Sequence, residues 1–251
     1  MKRRPPERCK GMDQGKIVLS RRNTPRGELQ LQRWAASDEH RPVYEIIFNG
    51  VFLMATYNER SEKALARLAV GPLKSPDHGL RVLIGGLGIG YTLRAALDCE
   101  GVQTIDVIEI EEEIVAWAQG LFAKLNGNAC SDIRTRIITT DLGEYLSKTR
   151  NTYDAIILDV DNGPSWLALV RNRRLYETPM LIRIKHLLND CGVLTVWAAQ
   201  ECAGFQKRLE EVFGTTEMIA VRDTHSNGRC FDYFIYRARA FGNQVMPSTT
   251  C

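Results

Sequence analysis

Long apolar runs are missing from this 251-residue chain. No stretch approaches the roughly 18 to 20 uninterrupted apolar residues that a membrane-spanning helix needs. The basic, proline-containing residues 1–10 are not followed by the apolar segment of a secretory signal. A cytoplasmic protein without membrane association is therefore expected. Paired cysteines are missing too: Cys9, Cys99, Cys130, Cys191, Cys202, Cys230 and Cys251 are scattered and odd in number, which suggests neither a zinc site nor a disulfide framework. The histidines His40, His78, His186 and His225 are equally dispersed, and no metal is expected. There is no internal repeat, no low-complexity tract and no recognised nucleic-acid-binding motif. With a pI near 8.5, below the roughly 9 of a clearly basic binding domain, direct nucleic-acid binding is not expected.

What is there is an ordinary globular composition, 44% hydrophobic and 25% charged, able to bury the core of one large domain or of one domain with a small appendage. The net charge of +3 hides an asymmetry, because residues 1–41 hold eleven Lys and Arg against five Asp and Glu. That segment reads as a solvated basic arm, or as one attracted to a phosphate-bearing or acidic partner. Short β-like runs follow at residues 16–19, 28–34, 43–48 and 51–55, the last two joined by Asn49-Gly50, a hairpin signal. They predict a small N-terminal β-subdomain. A helix is expected over residues 59–70, stopped by Gly71-Pro72.

From Leu80 the pattern changes to apolar strands alternating with helices, the signature of a mostly parallel sheet covered on both faces. Strands are expected at residues 81–85, 104–109, 136–139, 153–159, 193–197, 216–221 and 231–236. Helices are expected at 91–97, 112–125, 143–148, 179–188 and 205–213. The predicted division is residues 1–57 for the arm and β-subdomain, 58–240 for the main domain and 241–251 for a tail.

The first strand of that domain opens into Gly85-Gly86-Leu87-Gly88-Ile89-Gly90 before a helix. Glycines let the backbone turn sharply and approach a ligand. Gly86, Gly88 and Gly90 give G-x-G-x-G, whereas the dinucleotide fingerprint requires glycine where Tyr91 stands, so an adenosyl donor is favoured over NAD. Glu109 ends the second strand about 20 residues on, placed to accept hydrogen bonds from both ribose hydroxyls. Asp141 follows the third strand and is available to an adenine amino group. The fourth strand ends in Asp159-Val160-Asp161-Asn162. Acids at the ends of successive strands on one sheet edge point to one binding crevice.

With these motifs the sequence resembles the spermidine synthase family of polyamine aminopropyltransferases, as a divergent member. Asn49 to Phe52 is similar to the family's entry hairpin, residues 82–97 to its glycine motif, Val107-Ile108-Glu109-Ile110 to its ribose-binding strand, Thr140-Asp141 to its adenine-contacting acid, and residues 153–159 to the strand entering its catalytic loop. The resemblance implies a class I methyltransferase-like Rossmann sheet, mostly parallel with an antiparallel last strand. It also implies a homodimer, with Glu109 on ribose, Asp141 on adenine and Asp159 at the reaction centre. The co-substrate is S-adenosylmethionine or its decarboxylated form.

The chain departs from the family's pattern where that family holds its polyamine. Ile89 replaces an acidic turn residue, Glu62-Lys63-Ala64 replaces Tyr-His-Glu, and Asn162 replaces the second aspartate of Asp-Ser-Ser-Asp. By charge, Lys63 and the run Arg171, Arg173 and Arg174 suit a phosphate- or carboxylate-bearing acceptor better than a polycation. The expectation is transfer of a 3-aminopropyl or 3-amino-3-carboxypropyl group to a non-standard small-molecule, peptide or nucleotide acceptor. Asp159 or Asp161 is the base, Asn162 holds the acceptor, and Tyr176, Lys63, Arg171 and Arg174 line its pocket. The alternatives are methyl transfer on the same scaffold and a non-catalytic adenosyl-binding protein that oligomerises through Trp34, Tyr44 and Phe48.

Overall fold

The computed structural model describes residues 15–34, 42–224 and 230–240. The tail at 241–251 and most of the basic arm lie outside the described residues. The chain divides between Thr56 and Tyr57.

The first unit is an antiparallel meander of β1 (Lys16–Thr24), β2 (Gly27–Trp34), β3 (Tyr44–Phe48) and β4 (Val51–Ala55), in that spatial order. Asn49 and Gly50 both adopt positive φ, 48° and 76°, the geometry that a two-residue turn between twisted strands requires. Leu29, Leu31, Ile46, Phe48 and Ala55 form its buried face. β1 runs five residues beyond the expected strand because it is an exposed edge. Its distal half, Ser20 to Thr24, pairs with β2 through polar residues and offers no apolar alternation to read. Phe48 belongs to this core, Tyr44 is half-buried, and Trp34 carries the Lys16 ammonium over its ring at 4.3 Å.

The second unit contains α1 (Glu59–Val70), β5 (Leu80–Gly85), α2 (Tyr91–Leu97), β6 (Val102–Glu109), α3 (Glu112–Gln119), β7 (Thr135–Thr139), α4 (Leu142–Lys148) and β8 (Tyr153–Leu158). It continues through α5 (Thr178–Leu187), β9 (Leu188–Ala198), α6 (Ala203–Phe213), β10 (Thr216–Thr224) and β11 (Cys230–Arg239). The sheet order is β10-β11-β9-β8-β5-β6-β7, with β11 antiparallel to both its neighbours and the other pairings parallel. β5 and β8 are covered on both faces, so Val82 to Ile84 and Ala155 to Leu158 appear in the sequence as unbroken apolar runs. The chain winds outward from β5 to β7, then returns to place β8 on β5's other side. That reversal opens a crevice at the carboxyl ends of β5 and β8, the usual ligand site of such sheets.

Two helical regions differ from expectation. α3 ends at Gln119 rather than at residue 125, because Gly120 breaks it and Asn126 is needed elsewhere. Residues between β8 and α5 hold a 3₁₀ segment, Val170–Tyr176, whose three-residue period the sequence pattern did not suggest.

Candidate active site

The glycine turn follows β5 with Gly86, Gly88 and Gly90 at φ 91°, 53° and 97°. A Cβ on Gly86 would stand 2.0 Å from the Asp159 carbonyl oxygen, so this glycine is what lets the turn lie against the end of β8. Asn126, fully buried, donates its amide to the carbonyls of Ile89 and Ala118, both at 2.9 Å, and so pins the far side of the turn. Sequence reading missed Asn126. Only the polar cluster Asn126-Gly127-Asn128 hinted at a fixed loop there. Ile89 itself is completely buried.

Glu109 ends β6 directly beneath this turn. One carboxylate oxygen accepts from Leu87 N at 3.0 Å, the other from Ile110 N and Glu111 N at 2.7 and 3.0 Å. Burial pushes its pKa up while these three backbone donors oppose the shift. The carboxylate is thus aimed and rigid, with acceptor capacity left for hydroxyl donors. These residues fit the ribose of an adenosyl group.

Asp159 follows β8, its amide donating to Gly85 O at 2.8 Å. The Thr92 hydroxyl, on α2, donates to Asp159 Oδ2 at 2.5 Å. Burial raises the Asp159 pKa to about 6; the Thr92 bond works against that, and the neighbouring Glu109 charge adds to it. A carboxylate with this value is ionised at neutral pH yet close enough to exchange protons efficiently.

Beside it stands Glu62 of α1, 3% exposed, with one carboxylate oxygen that has no hydrogen-bond partner. Burial pushes its pKa well above the usual range, and the nearby acids Asp159, Asp223 and Glu59 push it further. Asp223, from β10, holds α1 in place by accepting from Arg60 N and Ser61 N at 3.1 and 3.0 Å. Tyr233 neighbours the same acids and tilts against Trp197 at 4.9 Å, and the Trp197 indole N–H is buried without a partner. Glu62, Thr92, Trp197, Asp223 and Tyr233 were all missed as site residues. Their contacts bridge distant parts of the chain and leave no local pattern.

Several expected site residues are placed differently. Asp141 caps α4 by accepting from Glu144 N at 2.9 Å. It also pairs with Arg171 at 2.9 Å and with Arg174. The two arginines therefore share one acid at the end of β7. Lys63 pairs with Glu59 on its own helix and lies 5.8 Å over the Tyr91 ring. Asp161, at φ 55°, spends its carboxylate organising the loop: it accepts from Ala168 N and Leu169 N, both at 3.1 Å, and from Asn172 Nδ2 at 2.7 Å. It is a clamp, whereas the Asp159 carboxylate is engaged by the Thr92 hydroxyl. Asn162 is 1% exposed, and its carbonyl accepts from Ala199 N at 3.0 Å, docking the loop on the end of β9. Tyr176 is buried edge-on to Phe205 and donates its hydroxyl to Val160 O at 2.9 Å.

Among the described residues there is no cluster of three His, Cys, Asp or Glu arranged for a metal, and no helix is long and apolar enough to cross a membrane.

The family model for the spermine/spermidine synthase domain matches residues 64–219. The chain is 30% identical over 121 residues to a polyamine aminopropyltransferase of Saccharolobus solfataricus, covering 47% of this chain and 38% of that protein. It is 32% identical over 137 residues to one of Prochlorococcus marinus, covering 54% and 47%. It spans half or less of the curated relatives it matches. Among solved structures, the spermidine synthase of Thermotoga maritima superposes with a TM-score of 0.69 at 17% identity, over 89% of this chain and 72% of that one. A spermidine synthase in complex with the transition state analogue AdoDATO gives 0.68 at 17%, with the same coverage. At that identity the likeness is one of fold.

Proposed function

Since the chain belongs to the spermine/spermidine synthase family, we propose that it transfers a 3-aminopropyl group from decarboxylated S-adenosylmethionine to an amine acceptor. The observation that carries this reading is the pair of neighbouring acids Asp159 and Glu62, one with an unpartnered oxygen, beside the glycine turn. A buried carboxylate without a partner favours a bound cation.

In the proposed step the glycine turn and Glu109 hold the adenosine, with Asp141 at the base. The acceptor amine attacks the propyl carbon bonded to the sulfonium, and the C–S bond breaks with its electrons left on sulfur. The product nucleoside is methylthioadenosine. The sulfonium is already activated, so the protein's tasks are in-line alignment and removal of one proton from the attacking nitrogen. Asp159 receives that proton.

Charge also favours the decarboxylated donor. The ionic groups acting on Glu62 are Asp159, Asp223 and Glu59, all acids, and a donor carboxylate brought among them would be repelled. The same argument turns the acceptor from an anion toward an alkylamine, because the charges acting on Glu62 are negative and Lys63 is paired with Glu59.

The test is to offer both donors with a panel of diamines and of amines bearing phosphate or carboxylate, and to identify alkylated acceptors by mass spectrometry. Turnover with the decarboxylated donor and a diamine is expected. Turnover confined to intact S-adenosylmethionine, or to the anionic acceptors, would overturn the assignment.

A further inference from the structure

With three residues per turn, the 3₁₀ segment Val170–Tyr176 sorts its side chains onto three faces. Arg171 and Arg174 share one and reach Asp141. Asn172 and Leu175 share the second, where Asn172 binds Asp161 and Leu175 enters the core. Val170, Arg173 and Tyr176 share the third, and all three line a cavity of about 680 Å³. This volume is in the range of small-molecule sites.

Arg173 is thus the arginine of the run that Asp141 does not take. It is joined in the lining by Arg208 of α6 and Ser165. Arg208 Nε donates to the Tyr176 carbonyl at 3.2 Å, which fixes that guanidinium at the wall while its terminal nitrogens stay available. Among the described residues neither Arg173 nor Arg208 has an ion-pair partner. Glu177 is the lone carboxylate in the lining. Two guanidinia against one carboxylate leave a net positive cavity, and paired guanidinia match the planar oxygens of carboxylate and phosphate.

We propose that this cavity binds a small anionic ligand, through a carboxylate or phosphate held between Arg173 and Arg208. The site is separate from the adenosyl crevice and does not rest on the activity proposed above. Tyr176 connects the two, because its hydroxyl holds the carbonyl of Val160, the residue after Asp159.

Isothermal titration of the full chain with inorganic phosphate, and separately with succinate, at constant ionic strength tests the proposal. Saturable binding of at least one probe is expected, weakened about tenfold by Arg173→Gln and strengthened several-fold by Glu177→Gln. The second change is a gain, which a folding defect does not imitate. Binding of phosphate alone assigns a phosphate-bearing ligand, and binding of succinate alone a carboxylate. Lack of saturable binding of both probes up to roughly 20 mM, or binding that neither substitution alters, overturns the site.

Discussion

Asp159 is asked to do two things that pull against each other: to sit partly desolvated beside other acids, and to carry a charge at neutral pH. Its folded-state pKa of about 6 lies above the ordinary aspartate value of 3.8. The folded protein therefore holds this proton more tightly than the unfolded chain does. The group's contribution to stability is most favourable below pH 4 and is lost as pH rises through about 6. Asp159→Asn is expected to lower the transfer rate by about 10²–10⁴-fold through loss of the base. The same variant should gain about 3 kcal/mol of stability at pH 7.5 and less than about 1 kcal/mol at pH 4, read by chemical denaturation at the two values. A variant inactive but no more stable at pH 7.5 would contradict the burial argument. Asp159 and Glu109 were legible in the sequence because each ends an apolar strand, a local signal. Glu62 was not, because its environment is made by Asp159 and Asp223, far away in the chain. The arginines illustrate the same point: the run of like charge is visible in the sequence, but not that two of its three members share one carboxylate, Asp141, some thirty residues away.

At the scale of elements, the site depends on two junctions. The first is the passage of the glycine turn against β8 at Gly86. Gly86→Ala combines a contact of 2.0 Å to backbone with a φ of 91°, so it should cost about 3 kcal/mol or more and abolish donor binding, measured by denaturation and by titration with methylthioadenosine. The second is the start of α1, where Asp223 supplies the cap that Asn58 does not. Asp223→Ala leaves two backbone donors unpaired and should cost about 1–2 kcal/mol. Because α1 carries Glu62, the Michaelis constant for the acceptor should rise more than kcat falls. Equal effects on both constants would argue that α1 positions nothing in the site. α1 and α2 were legible with their ends and β5 and β8 to within one residue, since amphipathic period and burial write themselves into the sequence. The edge strand β1 was read short because its outer half is polar, and the 3₁₀ segment was not read because its period is neither that of a helix nor that of a strand.

For the whole molecule, the order β10-β11-β9-β8-β5-β6-β7 brings the ends of β5, β6, β7 and β8 to one edge. Gly86, Glu109, Asp141 and Asp159 reach that edge from positions spread over more than seventy residues. The alternation of strand and helix announced a mostly parallel sheet, and the glycine turn with the acids that end the strands carried the resemblance to the family. What it could not announce is which charged side chains pair across the fold, as Arg171 and Arg174 do with Asp141. In the proposed reaction a nucleophile attacks the propyl carbon of an adenosyl sulfonium. The nucleoside released in a single turnover with donor and a diamine tests it most directly. Methylthioadenosine is expected, with its release suppressed in Asp159→Asn. Release of the demethylated thioether, S-adenosylhomocysteine or its decarboxylated counterpart, would show methyl transfer and contradict it.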